Sequence, residues 1–204
     1  MKHAVTTGSA PTGRVNWKRF GLMMVPAGLV VGAFGFATAS GALASSFVIS
    51  GSNFKVTADK LEGEGFVQYG RTITPTGKGT VPVAVSGIAK AKITNMCQSV
   101  AVGPFALRLT AGDAGKPVSA TNLVLDVEQL AGDAVFSDMQ IGVDASTVSA
   151  AGKDIHSDTK GAFGQQAATV VITDLDQTAW STTAGTFTLP NLKLGFGGSD
   201  NVCK

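Results

Sequence analysis

Between Arg19 and Lys55 the chain carries no charged residue. Within that stretch, Phe20 to Ala39 supplies the roughly 20 apolar residues that a helix needs to cross a hydrocarbon core. Phe20, Leu22, Val25, Leu29, Val30, Phe34 and Phe36 are its main apolar members. It is the only plausible hydrocarbon-embedded stretch in the chain. The chain therefore divides into a basic cytoplasmic head at 1–19, a transmembrane anchor or signal segment at 20–44, and one extracytoplasmic domain at 45–204.

The charges on either side give the direction of crossing. Lys2, Arg14, Lys18 and Arg19 precede the run, whereas all fourteen acidic residues lie at or beyond Asp59. Basic residues just before a span favour an inside start and an outside finish, and Trp17 suits the interface. Pro26 and the four glycines between Phe20 and Ala39 are better tolerated in a membrane than in water. Ala42, Leu43 and Ala44 followed by Ser45 also form a small-x-small cleavage pattern, and Ala37-Thr38-Ala39 before Ser40 is a weaker one. Two localisations follow: a single-pass protein of the cytoplasmic membrane with its C-terminal domain outside, or a protein secreted after cleavage near Ala44.

The same division changes the meaning of the net charge of +2. Four of the sixteen basic residues sit in the head, leaving twelve against fourteen acids, so residues 45–204 carry a net −2. A slightly acidic exterior does not fit a nucleic-acid partner, which selects a basic surface.

Export also bears on the two cysteines. Cys97 and Cys203 both lie beyond the apolar segment, where an oxidising environment preserves disulfides. Neither has a companion for another chemistry: no CxxC occurs, and the two histidines are His3, in the head, and His156. One structural disulfide is expected, tying down the last residues of the chain.

Beyond the segment the pattern is that of strands. Apolar residues alternate at Phe54, Val56 and Ala58; Val81, Val83 and Val85; Phe105, Leu107 and Leu109; Leu123, Leu125 and Val127; and Phe187 and Leu189. Breaks at Glu62–Gly65, Thr76–Gly79, Gly112–Gly115 and Gly197–Gly198 punctuate these runs and read as turns. The expected fold is all-β, one β-sandwich or curved antiparallel sheet, with a short solenoid also open. The segment Phe54 to Phe66 can be laid against Leu123 to Phe136: each has an apolar strand, an acid near a leucine, a glycine and a phenylalanine. The pattern suits two repeated hairpins or two unrelated hairpins of similar composition.

From Asp144 to Ala168 the alternation lapses, and long loops in compact domains tend to be functional or disordered. Asp154, His156, Asp158 and Phe163 mark this stretch as a candidate functional loop. His156 is the sole base available to a hydrolase in the outer domain, but no GxSxG elbow is present and the strand-rich pattern lacks the helices of that fold. No calcium-loop spacing and no phosphate-binding glycine loop occurs. Catalysis, a metal and a cofactor are accordingly not expected.

The motifs Trp17-Lys-Arg-Phe20, Ala44-Ser-Ser-Phe47, Phe54-Lys-Val-Thr-Ala-Asp59-Lys-Leu-Glu-Gly63, Thr94-Asn-Met-Cys97-Gln98, Phe163-Gly-Gln-Gln166, Thr178-Ala-Trp180 and Thr183-Ala-Gly-Thr-Phe187 span most of the chain. Together they resemble a family of uncharacterised actinobacterial exported proteins. The resemblance implies a one-span membrane protein with a β-rich outer domain. Some members carry an automatic cholesterol esterase label, which the residues above do not support. The functional expectation is a non-catalytic cell-envelope protein that binds membrane lipid, another apolar ligand or a membrane-protein partner on an apolar sheet face. A homo-oligomeric structural surface protein is the first alternative, and a membrane-associated esterase built on His156 is the second.

Overall fold

Period-two alternation requires strands that bury one face, and the computed structural model of the chain, which describes residues 50–152 and 154–204, contains nine of them. They are β1 (Phe54–Ile73), β2 (Val81–Thr94), β3 (Met96–Val102), β4 (Phe105–Ala111), β5 (Val118–Ser137), β6 (Gln140–Asp144), β7 (Phe163–Thr183), β8 (Thr186–Thr188) and β9 (Lys193–Gly198). No helix occurs among the described residues, and so none long and apolar enough to cross a membrane. The expected spanning segment, with its flanking Arg14, Trp17, Lys18 and Arg19 and the cleavage pattern at Ala42, Ala44 and Ser45, lies outside the described residues.

All pairings are antiparallel, in the order β6-β7-β5-β2-β1-β3-β4-β9, with β8 beside β5 and β7 also beside β1. The last pairing closes a circuit. β1, β2, β5 and β7 each bond to two of the others, so the sheet curves back onto itself. The circuit is strongly sheared because the long strands change partners along their length. β5 bonds to β2 through 118–127 and to β7 through 124–137.

Three of these paths continue past a break. β2 runs on into β3 through Asn95, and β5 into β6 past Asp138; both residues have positive φ, 52° and 53°. Asn and Asp tolerate this region better than other side chains because their short polar groups bond locally. β7 continues into β8, and both pair with β5.

The inner face carries the main core. Leu61, Phe66, Ile88, Leu123, Leu125, Val170, Ile172 and Leu175 are buried in one cluster with smaller neighbours. Each large aliphatic or aromatic side chain withdrawn from water in this way contributes about 1.5–3 kcal/mol. The interior is thus filled by the chain's own side chains.

The expected turn at Glu62–Gly65 does not exist, since these residues lie in the middle of β1. Gly63 is there because of what crosses it: a Cβ at this position would stand 2.8 Å from both Ile88 Cγ2 of β2 and Val170 Cγ1 of β7. The breaks at 76–79 and 112–115 do connect strands. The two similar segments are likewise not hairpins. Each lies within one 20-residue strand, β1 or β5, and each of these strands pairs with β2 on one side and β7 on the other. Their matched phenylalanines meet in the core: the rings of Phe66 and Phe136 are 5.3 Å apart and inclined at 49°.

The disulfide joins Cys97 to Cys203 across a sequence separation of 106 and fixes the C-terminal tail on one face of β3. The Cys203 N–H also donates to Ser99 Oγ at 3.0 Å. Closing a loop this long stabilises by about 4–5 kcal/mol through the unfolded chain. Replacing both cysteines by serine should lower the melting temperature by on the order of 10 °C, as read by circular dichroism, with wild type in reductant behaving like the variant.

Candidate functional site

The stretch expected to be a functional loop is a cover held against the sheet. β7 begins at Phe163, earlier than the lapse in alternation suggests, so the connection shrinks to 145–162. Ala145, Val148 and Ala151 are buried against Val67, Tyr69 and Val85, with Ile155 packed beside them. Three glycines on adjacent strands make room for this layer. A Cβ on Gly87 would meet Ile155 Cγ2 at 2.5 Å, one on Gly164 would meet Ala145 Cα at 2.8 Å, and Gly65, at φ +67°, faces the Ala150 carbonyl. Glycine within a strand commonly marks such a close approach.

Polar contacts staple both ends of the cover. Asp144 Oδ1 accepts from the Ser146 N–H and hydroxyl, each at 2.9 Å, while Oδ2 accepts from the Gly161 N–H at 3.0 Å. Gln166 Oε1 accepts from Ser149 N–H at 2.9 Å, and its Nε2 donates to Gln140 Oε1 at 2.7 Å.

Asp154, His156 and Asp158 are exposed on this cover, and Phe163 is exposed at the start of β7. His156 Nδ1 faces the Ser157 carbonyl oxygen at 3.3 Å, and the Ser157 hydroxyl accepts from Thr159 N–H at 3.1 Å. The histidine is therefore not set against the neighbouring serine hydroxyl in the way that base-assisted attack requires. No group of three His, Cys, Asp or Glu side chains that could hold a metal occurs among the described residues.

Beside the cover lies a buried carboxylate. Asp126 is fully enclosed; Arg71 Nε and Nη2 donate to its Oδ1 and Oδ2 at 2.9 and 2.6 Å, and the Ser181 hydroxyl donates to Oδ2. Burial raises the nearby Tyr69 phenol above its usual pKa; Arg71 opposes this, and Asp126 and Asp158 add to it. The bidentate fork satisfies the carboxylate, so this network reads as a structural clamp across β1, β5 and β7.

The unexplained surface is on β3, β4 and β9. The antiparallel register places Val100 and Val102 opposite Leu107 and Phe105, and Leu107 and Leu109 opposite Phe196 and Leu194. These side chains share one front face, and four of them are largely bare: Val102 at 51%, Phe105 at 57%, Leu194 at 62% and Phe196 at 71% exposure. The back of the same strands is covered. Ala106 and Cys97 are buried there, Cys203 is bonded to Cys97, and Asn201 packs where a Gly197 side chain would be.

The family model described as "Family of unknown function (DUF6230)" matches residues 50–204, which takes in the whole of the described structure. The chain belongs to that family. No curated protein and no solved structure matches it. The DUF6230 region thus contains the pairing circuit, the disulfide, the cover and the front face together, and no named relative lends it an activity.

Two clefts open on this DUF6230 domain. One, of about 520 Å³, lies between Gly51–Asn53, Lys78–Val81, Ala101 and Trp180. Trp180 is itself buried with Ile73 and Val83, so its ring serves packing more than the cleft. The other, of about 710 Å³, is lined by Asn95, Arg108, Asp113, Asn191 and Lys193 among others.

Sequence reasoning read Phe105, Leu107 and Leu109 as a strand but overlooked its exposure, and took Gly197–Gly198 as a turn, whereas both glycines lie in β9. A usable signal was present. Residues 96–111 and 193–198 contain no acid, and large apolar residues alternate there with small ones at Ala106, Gly195 and Gly197.

Two outcomes test the stapled cover and the clamp. The hydrogen bonds hold the Asp144 carboxyl below its usual pKa, the Ser146 N–H first and the Gly161 N–H next. The folded cover is then favoured at all pH above the ordinary value of about 3.9, and that support is lost as pH falls through the lower, folded one. Amide exchange of 145–162, corrected for intrinsic rate, should rise below about pH 4, and Asp144→Asn should show the faster exchange already at neutral pH. For the clamp, Arg71→Met should cost about 3 kcal/mol in urea unfolding by stranding Asp126, while adding Asp126→Leu should restore most of it.

Proposed function

We propose that this is a non-catalytic cell-envelope protein that its N-terminal segment either anchors in the cytoplasmic membrane or exports, and whose outer domain takes apolar partners on the front face of β3, β4 and β9. The exposure of Phe105, Leu194 and Phe196 together on one three-stranded face carries this reading. Soluble monomers seldom leave large side chains contiguous and bare unless the patch is a site of interaction. The filled core argues for an external face over an internal cavity as the place for an acyl chain or other apolar group. The charge of the outer domain fits no nucleic acid.

A structural role through self-association has one specific observation in its favour. β9 pairs only with β4, so its other backbone edge is open to a further strand among the described residues. Such assembly would appear as concentration-dependent size in solution.

The apolar-docking reading predicts that the full chain binds a long-chain fluorescent fatty acid. Leu194→Ser and Phe196→Ser should each weaken binding by on the order of tenfold, with melting temperatures near wild type because both side chains are already exposed. No binding by wild type, or equal binding by all three proteins, would sink the reading.

A further inference from the structure

We infer that the apolar face is a bilayer-contacting surface, with the tip of the β3–β4 hairpin inserted at the lipid interface next to the point where the chain enters its outer domain. This rests on the apolar-docking reading above and names the partner of that same face.

Three observations point to lipid. The first is position. Lys55 pairs with Ser99 and Val56 with Gln98, so the last residues of β3 run back alongside the residues that precede β1. Ala101 accordingly shares a cleft with Gly51, Ser52 and Asn53. The hairpin tip at Gly103 and Pro104, flanked by the exposed Val102 and Phe105, is thereby held beside the chain's entrance.

The second is the length of the preceding tether. The apolar run reaches Ala44, and only Ser45 to Ile49 separate it from Ser50. Six peptide units extend at most about 20 Å. With the segment kept in the membrane, the entrance and the hairpin beside it cannot stray far from the interface, and Phe47, Val48 and Ile49 in the tether are themselves apolar.

The third is charge. The outer domain is net negative, yet β3, β4 and β9 hold no acidic residue; their charged members are Arg108 and Lys193. Both project from the opposite face, where Arg108 donates to Cys97 Sγ and Lys193 pairs with Thr110, so the front-facing residues of these strands carry no charge, as the headgroup boundary favours for a face of aliphatic and aromatic groups.

The test uses the full chain in a Trp17→Phe, Trp180→Phe background, reconstituted into vesicles of phosphatidylcholine and phosphatidylglycerol, some containing brominated acyl chains. Phe105→Trp places an indole at the hairpin tip. Phe163→Trp places one at the opposite end of β7 from Ala179, the residue that pairs with Phe54 at the entrance; sixteen residues of strand, on the order of 50 Å if extended, separate those ends. The expected result is blue-shifted emission and bromine quenching for Phe105→Trp and neither for Phe163→Trp. Adding Phe196→Ser should reduce the quenching of the Phe105→Trp indole.

Two results would overturn the inference: an unquenched Phe105→Trp indole, or equal quenching of the two probes. If that unquenched indole still shifts on adding fatty acid, apolar docking stands and only the bilayer assignment falls. If it responds to neither, the docking reading falls too. An indole shielded from bromine because copies of the chain associate through this face, as shown by cross-linking, also counts against lipid as the occupant.

Discussion

The domain depends on strands that exchange hydrogen-bonding partners along their length. Strands average five or six residues in globular proteins, whereas β1, β5 and β7 have 20, 20 and 21. So long a strand twists too far to keep the same neighbours, and an unpaired buried backbone group is costly. The circuit resolves this. β5 leaves β2 after Val127 while already bonded to β7, and β1 holds β3 and β7 at one end and β2 and β7 at the other. The bulges between Asp126 and Gln129 fall where β5 makes that exchange.

Coiling of this kind brings strand against strand more closely than side chains allow, which explains the distribution of glycine. Gly63 and Gly132 lie at matching places in β1 and β5, and a Cβ on either would strike core aliphatic side chains, Val170 and Ile88 in the first case and Ile172 in the second. Gly65, Gly87 and Gly164 clear the outer side for the 145–162 cover. The same residue type therefore admits a tight core on one face and a second layer on the other. The Arg71–Asp126–Ser181 clamp lies beside that second layer, where the chain needs a polar anchor among apolar neighbours.

This dual use of glycine accounts for what the sequence could and could not disclose. Alternation at 81–85 and 123–127 was legible because each run buries the face that carries its apolar residues and needs only its neighbours in sequence to be read; 105–109 shows the same period although Phe105 on its apolar face is bare. Glu62–Gly65 was not, since a turn and a close approach leave the same local trace, and the residues that decide between them are Ile88 and Val170. The start of β7 was hidden for a related reason. Gln165 and Gln166 look like loop residues, yet Gln165 donates to Gln68, and Gln166 holds the cover. The disulfide was legible by count, with two cysteines on one side of the apolar run. The candidate loop was correctly seen as unusual, but its packing role depends on glycines contributed by three separate strands.

The front face was hidden by a different limit: alternation shows which residues share a face but not whether anything covers it. On β3, β4 and β9 the answer comes from the C-terminal tail. Cys203 can reach only the face that carries Cys97 and Ser99, so the disulfide commits the tail to the back and leaves Phe105 and Phe196 without a cover from that source. A polar front would have made the strands adequate for a soluble edge, and Thr, Lys or Glu would fit the backbone equally well. Apolar residues at these positions do little for the fold, because they bury little in it. Their cost falls on solubility. The pairing of β1 with β3 holds that surface beside the first residues of the sheet, Lys55 to Thr57.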